Sequence, residues 1–313
     1  MADFYRALPK AELHLHLEGS VEPETMLELA PDLGPEKIRA MYQFSGFGGF
    51  LQAFKSVVER LRTPEDYALV ARRMVERLEE QNVRYAEVTF SAGMVLWKNQ
   101  EFDPIFAAAR RAATESGLEV RWILDAVRHF GPEHVMQVAE LAARYADDGV
   151  VAFGIGGDEA RGPAHWFADI YRFARGRGLR LTAHAGEAAG PESVWAALEI
   201  GAERIGHGIR SIEDPVLVRH LADRNIPLEV CVTSNVLTGV VAGVRDHPLR
   251  RLYDVGVPVI LNTDDPGIFQ TTLCAEYELA AREFGFTEAE LTGIARNAFR
   301  YAFTSAAQSR CCP

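Results

Sequence analysis

The stretch AELHLHLEGS, residues 11–20, decides the fold that we predict for this chain. In it His14 and His16 alternate with leucines, and Glu12 and Glu18 share the parity of the histidines. Successive side chains of a strand point to opposite faces, so both imidazoles lie on one face and the leucines on the other. A lone buried histidine is usually a core residue, whereas two on one face near a strand end indicate a binding site.

Seven further segments have the alternating or continuously apolar pattern of strands. Helix-like apolar spacing follows most of them, and parallel strands require such crossover helices. Eight strand–helix units are typical of a (β/α)8 TIM barrel, an α/β fold whose active site lies at the carboxyl ends of its strands. The eight predicted strands cover residues 11–17, 83–90, 119–127, 150–157, 179–185, 203–208, 227–234 and 258–265.

The gap between the first two predicted strands, at about residues 18–82, is longer than one crossover helix requires. It contains FSGFGGFLQAF (44–54) and then a helical pattern from about Thr63 to Gln81. We interpret this segment as a helical insertion over the barrel mouth, either a mobile lid or a packed helical hairpin. No linker or internal repeat divides the chain, so we predict that residues 1–313 form one domain.

Composition limits the classes of partner. The net charge of −11 argues against a nucleic acid, and no apolar run approaches the ~18 residues of a membrane span. The amino terminus lacks the pattern of a signal peptide, so we expect a cytoplasmic protein. The cysteines form no C-x-x-C pair, which argues against a disulfide framework and a thiolate zinc site. They are Cys231, Cys274, Cys311 and Cys312.

Other predicted strand ends carry metal-binding side chains. The fifth strand ends in His184, with Glu187 three residues on; the sixth ends in His207; the eighth ends in Asp264 and Asp265. All would meet the first-strand histidines at one mouth, and three histidines with one aspartate suit zinc or a similar cation. Singly, His207 could be structural, Glu187 a first-turn acid and Asp265 a helix cap. Their coincidence favours a metal site.

The remaining histidines fall outside this pattern. We predict surface positions for four of them, whereas His129, at the end of the third strand, could line the pocket. The four are His134, His165, His220 and His247.

Five motifs together resemble the adenosine deaminase family of the amidohydrolase superfamily. Each motif alone is weak, but the ordered set is specific, and the resemblance runs from about Leu8 to Phe303. The motifs are ELHLHLEGS (12–20), GGDE (156–159), HAGE (184–187), GHG (206–208) and NTDDP (262–266).

The resemblance implies one zinc ion per chain, bound by His14, His16, His184 and Asp264. It also implies that Asp264 orients the attacking water with its second oxygen. Relatives that hold two metals often bridge them with a carbamylated lysine on the fourth strand. All four lysines of this chain precede that strand, so a single metal is expected.

The resemblance also assigns the contacts to the purine. Glu187 would stand against N1, Asp265 would reach N7, and the backbone N–H of Gly157 would meet N3. Attack at C6 moves electron density onto N1, and a protonated Glu187, its pKa raised by burial, would supply the proton. His207 would face the attacking water, either accepting its proton or stabilising charge; the sequence leaves both roles open.

The sequence departs from the family pattern at the sugar end. Relatives have an aspartate beside the ribose, where this chain has Glu18, with His16 nearby. Residues Phe50, Phe54 and Trp97 would extend the pocket with an apolar wall or pack in the core. These differences concern the substrate and not the chemistry at C6.

The implied function is zinc-dependent hydrolytic deamination of a purine nucleoside, a small molecule. Adenosine or 2′-deoxyadenosine, giving inosine or 2′-deoxyinosine and ammonia, is the first candidate. The alternative is an adenosine-like nucleoside such as 6-aminodeoxyfutalosine of menaquinone biosynthesis; adenine and other amidohydrolase reactions are less favoured. If the 5′ substituent of such a nucleoside carried an aromatic carboxylate, Arg128 or another basic residue near the mouth would pair with it. A non-catalytic metal-binding protein is disfavoured, because Glu187 and His207 are both present.

Overall fold

The computed structural model describes residues 2–309, so Cys311 and Cys312 lie outside the described range. Eight parallel strands form one sheet in which each strand pairs with the next along the chain. The strands are β1 (Lys10–His16), β2 (Val83–Phe90), β3 (Glu119–Val127), β4 (Val150–Gly156), β5 (Arg180–Ala185), β6 (Arg204–His207), β7 (Leu228–Val230) and β8 (Val259–Leu261).

Helices follow the strands and surround the sheet. None of those in residues 2–309 is both long enough and apolar enough to cross a membrane. The helices are α1 (Ala2–Ala7), α2 (Pro23–Leu29), α3 (Gly34–Met41), α4 (Gly46–Val58), α5 (Pro64–Glu80), α6 (Ala92–Trp97), α7 (Phe102–Ala113), α8 (Pro132–Arg144), α9 (Ala168–Gly176), α10 (Pro191–Ile200), α11 (Pro215–Arg224), α12 (Val232–Leu237), α13 (Leu249–Asp254), α14 (Pro266–Phe269), α15 (Leu273–Phe284), α16 (Glu288–Arg300) and α17 (Ser305–Gln308).

The sheet closes on itself just after β8. A parallel bridge joins Leu15 to Asp264. The N–H of His16 donates to the Asp264 carbonyl at 2.8 Å, and the N–H of Asp264 donates to the His14 carbonyl at 3.0 Å. This closure confirms the predicted (β/α)8 barrel. The first six strands agree with their predicted ranges to within one residue, but β7 and β8 are shorter than predicted.

An irregularity in β1 corrects the predicted parity of its side chains. The N–H groups of Leu13 and His14 both donate to Oδ1 of Asn262, at 2.9 and 3.1 Å, and the register shifts between Glu12 and Leu15. Leu13 joins an apolar cluster of the lower barrel, while the Glu12 carboxylate accepts hydrogen bonds from residue 263. Both histidines still point into the barrel, but Leu13 and Glu12 have exchanged the faces that simple alternation predicts.

The barrel floor is filled by an ion-pair network. Arg204 of β6 lies 2.6 Å from Glu87 of β2 and 2.5 Å from Glu229 of β7, and its guanidinium stacks 3.6 Å above the ring of Phe303. Since β2 and β6 are not neighbours in the sheet, these side chains meet inside the barrel. The Tyr301 carbonyl accepts a further hydrogen bond from Arg204.

The predicted insertion, at about residues 18–82, contains α2, α3, α4 and α5. Phe50 of α4 stacks on Phe269 of α14 with ring centroids 5.0 Å apart. Lys98 donates to the Val58 carbonyl at 2.7 Å and thereby ties the end of α4 to the segment after α6. The helix α5, which packs on α7, takes the place of the first crossover helix.

Candidate active site

A cavity of about 400 Å³ opens at the carboxyl ends of the strands, where the sequence predicts the site. Six of the polar residues that line it come from the ends of β1, β5, β6 and β8. They are His16, His184, Glu187, His207, Asp264 and Asp265.

Four predicted metal ligands converge at the base of this cavity. Donor atoms of His14, His16, His184 and Asp264 all lie within 4.8 Å of one another. The Nε2 atoms of His16 and His184 are 3.2 Å apart, and Oδ1 of Asp264 lies 3.3 Å from His14 Nε2 and 3.4 Å from His16 Nε2. Three imidazole nitrogens and one carboxylate oxygen form a donor set that fits a divalent ion such as zinc.

Hydrogen bonds behind the cluster orient two of its rings. His14 Nδ1 donates to Oε2 of Glu229 at 2.8 Å, and His184 Nδ1 donates to the Ile155 carbonyl at 3.2 Å. A proton held on Nδ1 leaves the lone pair of Nε2 directed into the cluster, as metal-binding histidines require. The role of Glu229 was not predicted from the sequence, because its partner His14 lies 215 residues away.

The backbone is strained at two site residues. His207 and Asp264 adopt φ angles of 60° and 65°, in the left-handed region that such residues rarely occupy. Gly206 is required for space, because a Cβ at this position would lie 2.7 Å from Cε1 of His14. The glycine of the GHG motif therefore lets the His14 ring pass close to β6.

The loop that carries Glu187 is held by the buried carboxylate of Glu159. This carboxylate accepts hydrogen bonds from the N–H groups of Gly186 at 2.8 Å, Glu187 at 3.0 Å and Ala188 at 2.8 Å. Burial, reinforced by the charges of Asp264 and Glu159, raises the pKa of Glu187 well above its ordinary value. A raised pKa favours the protonated form of this carboxyl, which can act as a proton donor.

The two adjacent aspartates have opposite pKa shifts. Burial acts to raise the pKa of Asp264, but the hydrogen bond from His14 and the neighbouring imidazoles hold it well below its ordinary value. Burial and the charge of Asp264 raise the pKa of Asp265 well above its ordinary value. Asp265 fits here because position 19 is glycine, where a Cβ would lie 1.8 Å from Oδ1 of Asp265. These shifts favour the ionised form of Asp264, which a metal ligand requires, and the protonated form of Asp265.

His207 is hydrogen-bonded to the buried Asn235, which is in turn hydrogen-bonded to the buried His247. Its Nδ1 lies 3.1 Å from Nδ2 of Asn235, whose Oδ1 lies 3.1 Å from Nε2 of His247. Its Nε2 faces Glu187 Oε2 at 3.7 Å and Asp264 Oδ2 at 4.0 Å. The prediction of a surface position for His247 is wrong, since only 4% of this residue is exposed.

Other predicted residues lie at different depths. Gly157 and His129 line the cavity. Glu18 is fully buried behind the wall, where it accepts the N–H of Ser91 at 3.1 Å. Arg128 is also fully buried and donates to the His184 carbonyl at 2.5 Å. The expectation that Arg128 faces an anionic substituent is therefore wrong.

The cavity mouth is aromatic with two basic groups. Trp97 stacks on Phe130 with centroids 6.2 Å apart, and Lys55 Nζ lies 5.2 Å from the Trp97 ring. Phe54 and Arg161 also line the cavity. Phe50, although it lines the cavity, is 8% exposed and packs in the core, so both roles foreseen for these aromatics occur.

Asp125, near the end of β3, is a fourth carboxyl in the cavity and was missed from the sequence. It is 6% exposed, and burial raises its pKa to about 7. Its apolar neighbours in the sequence gave it the appearance of an ordinary strand residue.

Comparison with known proteins agrees with this geometry. The chain is 40% identical over 318 residues to an aminodeoxyfutalosine deaminase of Streptomyces avermitilis, covering 97% of this chain and 89% of that protein. It is 40% identical over 305 residues to an adenine deaminase of Rhizobium leguminosarum bv. trifolii, covering 95% of each. A crystal structure of an amidohydrolase from Burkholderia ambifaria with bound Zn superposes with a TM-score of 0.90 at 29% identity, over 99% of this chain and 89% of that one.

The family comparison covers almost the whole chain. The sequence pattern that defines the adenosine deaminase family matches residues 9–311. The resemblance noted from five short motifs therefore extends from before β1 to beyond α17, and this chain belongs to the adenosine deaminase family.

Proposed function

We propose that this chain catalyses the metal-dependent hydrolytic deamination of a 6-aminopurine nucleoside, with adenosine or 2′-deoxyadenosine as the first candidate. Family membership and the activities of the relatives support a deaminase of adenine or an adenosine-like compound. One observation carries the proposal. A four-donor cluster and three separate proton-bearing groups face a single cavity of nucleoside size.

The metal would be held by His14, His16, His184 and Asp264, whose donor atoms fit one divalent ion. When bound, such an ion polarises a water molecule and lowers its pKa toward about 7. The zinc-bound neighbour from Burkholderia ambifaria supports zinc as the identity of the ion.

The ring nitrogens of the purine give roles to the proton-bearing groups. N1, N3 and N7 of a 6-aminopurine are all hydrogen-bond acceptors, so a complementary site must supply three donors. Glu187 and Asp265 supply carboxylic O–H groups, because their pKa values are raised, and Gly157 supplies a backbone N–H. We assign Glu187 to N1, Asp265 to N7 and Gly157 to N3.

Glu187 would also carry the proton transfer. Addition of water at C6 makes the ring basic at N1, and Glu187 delivers its proton there. The C6–N bond then breaks, the amino group leaves as ammonia, and a 6-oxopurine remains. Water and nucleoside are consumed, so the reaction needs no further reactant.

A second candidate substrate is an adenosine-like nucleoside with an aromatic carboxylate at its 5′ end, such as 6-aminodeoxyfutalosine. The aminodeoxyfutalosine deaminase of Streptomyces avermitilis supports it, as does the mouth of the cavity. Trp97 and Phe130 would stack on an aromatic ring, and Lys55 and Arg161 would attract its carboxylate. Adenine alone would leave this part of the cavity without a contact.

Ultraviolet absorbance tests both candidates. Purified protein is mixed with adenosine, 2′-deoxyadenosine, 6-aminodeoxyfutalosine and adenine, before and after removal of the metal by a chelator and restoration with zinc. We expect metal-dependent loss of the adenine band with at least one nucleoside. A chain that turns over only adenine, or no 6-aminopurine, would contradict the proposal.

The role of Glu187 is tested with Glu187→Gln, which preserves the shape of the side chain but removes the acidic proton. We expect kcat to fall by about 10²–10⁴-fold while the bound metal is unchanged. Loss of the metal in this variant would show that Glu187 has a different role.

A further inference from the structure

We propose that Asn235 and His247 are positioning residues that hold His207 as the neutral tautomer with its proton on Nε2. The inference rests on the proposed function only in placing His207 beside the reacting atoms. It concerns a choice that the sequence leaves open, whether His207 accepts a proton or donates a hydrogen bond.

One hydrogen bond in this group has a fixed direction, because its donor is a backbone amide. The backbone N–H of Leu249 donates to Nδ1 of His247 at 3.1 Å. A backbone amide is always a donor, so Nδ1 of His247 carries no proton. The neutral ring must therefore carry its proton on Nε2, where Oδ1 of Asn235 lies at 3.1 Å.

The direction of this hydrogen bond then determines the direction of the next one, between Asn235 and His207. Because His247 donates to Asn235, the amide presents its oxygen to His247 and its NH₂ group to His207. That NH₂ group lies 3.1 Å from Nδ1 of His207. An NH₂ group only donates, so Nδ1 of His207 accepts, and the proton of the neutral ring is on Nε2.

The other tautomer of His207, with its proton on Nδ1, would leave two hydrogen-bond donors facing each other in the buried interior. A proton on Nδ1 of His207 would require the Asn235 amide to turn, placing its NH₂ group against the Nε2–H of His247. All three residues are buried, with Asn235 at 0% and His247 at 4% exposure, and water cannot relieve two opposed donors. In residues 2–309, no other side chain is hydrogen-bonded to Nδ1 of His207.

The consequence is chemical. An Nε2 that carries a proton can donate a hydrogen bond to oxygen in the cavity, but it cannot accept the proton of the attacking water. His207 therefore stabilises developing negative charge on that oxygen. Once Glu187 has given its proton to N1, its carboxylate, 3.7 Å from His207, can accept the proton that the water releases. The same proton can then leave with ammonia, and the proton of the C6 hydroxyl passes to Glu187 as the 6-oxo group forms, so Glu187 ends protonated and the count balances.

A spectrum tests the tautomer directly. In ¹⁵N-histidine-labelled holoenzyme, two-bond couplings from the ring C–H groups identify which nitrogen is protonated, and His207→Gln identifies the His207 signals. We expect an unprotonated Nδ1 and a protonated Nε2 in the resting enzyme. A protonated Nδ1 in the wild-type spectrum would overturn the proposal. No substrate is required, so this result is independent of whether the chain deaminates nucleosides.

Two variants test the positioning role. His247→Gln keeps an N–H that can donate to Asn235, whereas His247→Met has similar bulk and no donor. We expect His247→Gln to retain the wild-type tautomer and nearly wild-type kcat. His247→Met should show a mixture of His207 tautomers, with kcat lowered by about 10-fold or more at little change in KM.

Equal spectra and equal kcat for the two variants would overturn the positioning role. Thermal unfolding checks that both are folded. If His247→Met does not fold, the wild-type spectrum still decides the tautomer.

Discussion

Gly206 shows how little space separates the candidate ligands from the barrel wall. The missing side chain lets the ring of His14 lie against β6, and the next residue, His207, already has a strained backbone. Space of this kind is invisible to the sequence pattern, which records only that a glycine precedes a histidine.

Substitution of Gly206 by alanine should weaken the metal site. The new Cβ would approach His14 Cε1 to 2.7 Å and the backbone Cα of His184 to 3.3 Å, so the His14 ring must move away from β6. We expect metal affinity to fall by about 10–100-fold, as when the support of a ligand is lost. Competition with a chelator measures the affinity.

Gly293→Ala in α16 is the matched control, because a Cβ there meets no atom within 4 Å. It should leave metal affinity unchanged. Unaltered affinity in Gly206→Ala would show that the rings have room that the structure does not indicate.

Single residues differ in how far the sequence predicts them. His14, His16, His184 and Asp264 were predicted to converge because each ends a strand, and strand ends share one rim. Their supporting residues carried no such signal. Glu159 lies within a motif, but its role depends on loop N–H groups about 28 residues further along the chain. His247 follows an irregular segment that resembles exposed loops.

The elements of the barrel were predictable where hydrophobic pattern alone determines them. Strands β1 to β6 have the predicted bounds to within one residue. The irregularity in β1 was not predictable, because it depends on the side chain of Asn262, 248 and 249 residues from its two partners. Strand β8 ends at Leu261, and Asp264, which still bridges to Leu15, has a left-handed backbone with a φ angle of 65°.

The same irregularity buries Glu12 at the seam between β1 and β8, which makes stability depend on pH. Burial raises the pKa of Glu12 from 4.5 to about 8, although hydrogen bonds from Thr263 oppose the shift. The folded protein therefore binds a proton that the unfolded chain releases between these pH values. Stability from this group is complete below about pH 4.5 and is lost as the pH rises toward 8.

Replacement of Glu12 by glutamine should remove this dependence. The amide oxygen can still accept the hydrogen bonds of Thr263, and no charge has to be buried. We expect the unfolding midpoint of the variant to rise relative to wild type as the pH increases from 5 to 8. Thermal scans across that range measure the difference.

The exposed Glu140→Gln in α8 serves as the control and should follow wild type at every pH. A constant difference between Glu12→Gln and wild type would mean that Glu12 does not titrate on unfolding.

In the molecule as a whole, the four-donor cluster of His14, His16, His184 and Asp264 connects the two ends of the chain. Its donors come from β1, from β5 and from the residue that closes the barrel after β8. An ion bound there would link segments 250 residues apart, and it binds only the folded state. The convergence of these ligands was predicted from the strand ends. The prediction that the insertion lies over the barrel mouth rested only on the length of the segment.

Removal of the metal should therefore destabilise the entire barrel. A ligand present at 100 times its dissociation constant stabilises the folded state by about 2.7 kcal/mol. We expect a chelator to lower the unfolding midpoint by several degrees and zinc to restore it. His14→Ala, which lacks a ligand, should respond to neither treatment. A wild-type midpoint that ignores metal removal would contradict the link between the ion and the fold.

The network in the barrel floor has a consequence for the carboxyl-terminal segment. Phe303 and the Tyr301 carbonyl contact Arg204, Arg204 pairs with Glu229, and Glu229 orients His14. A truncation just beyond α16 would thus remove the contacts of the Arg204 guanidinium with Phe303 and the Tyr301 carbonyl. The His14 ring would then be held less firmly, because Arg204 pairs with Glu229 and Glu229 orients that ring. Loss of the carboxyl-terminal residues would therefore weaken the affinity for the metal ion, although all four candidate ligands are still present.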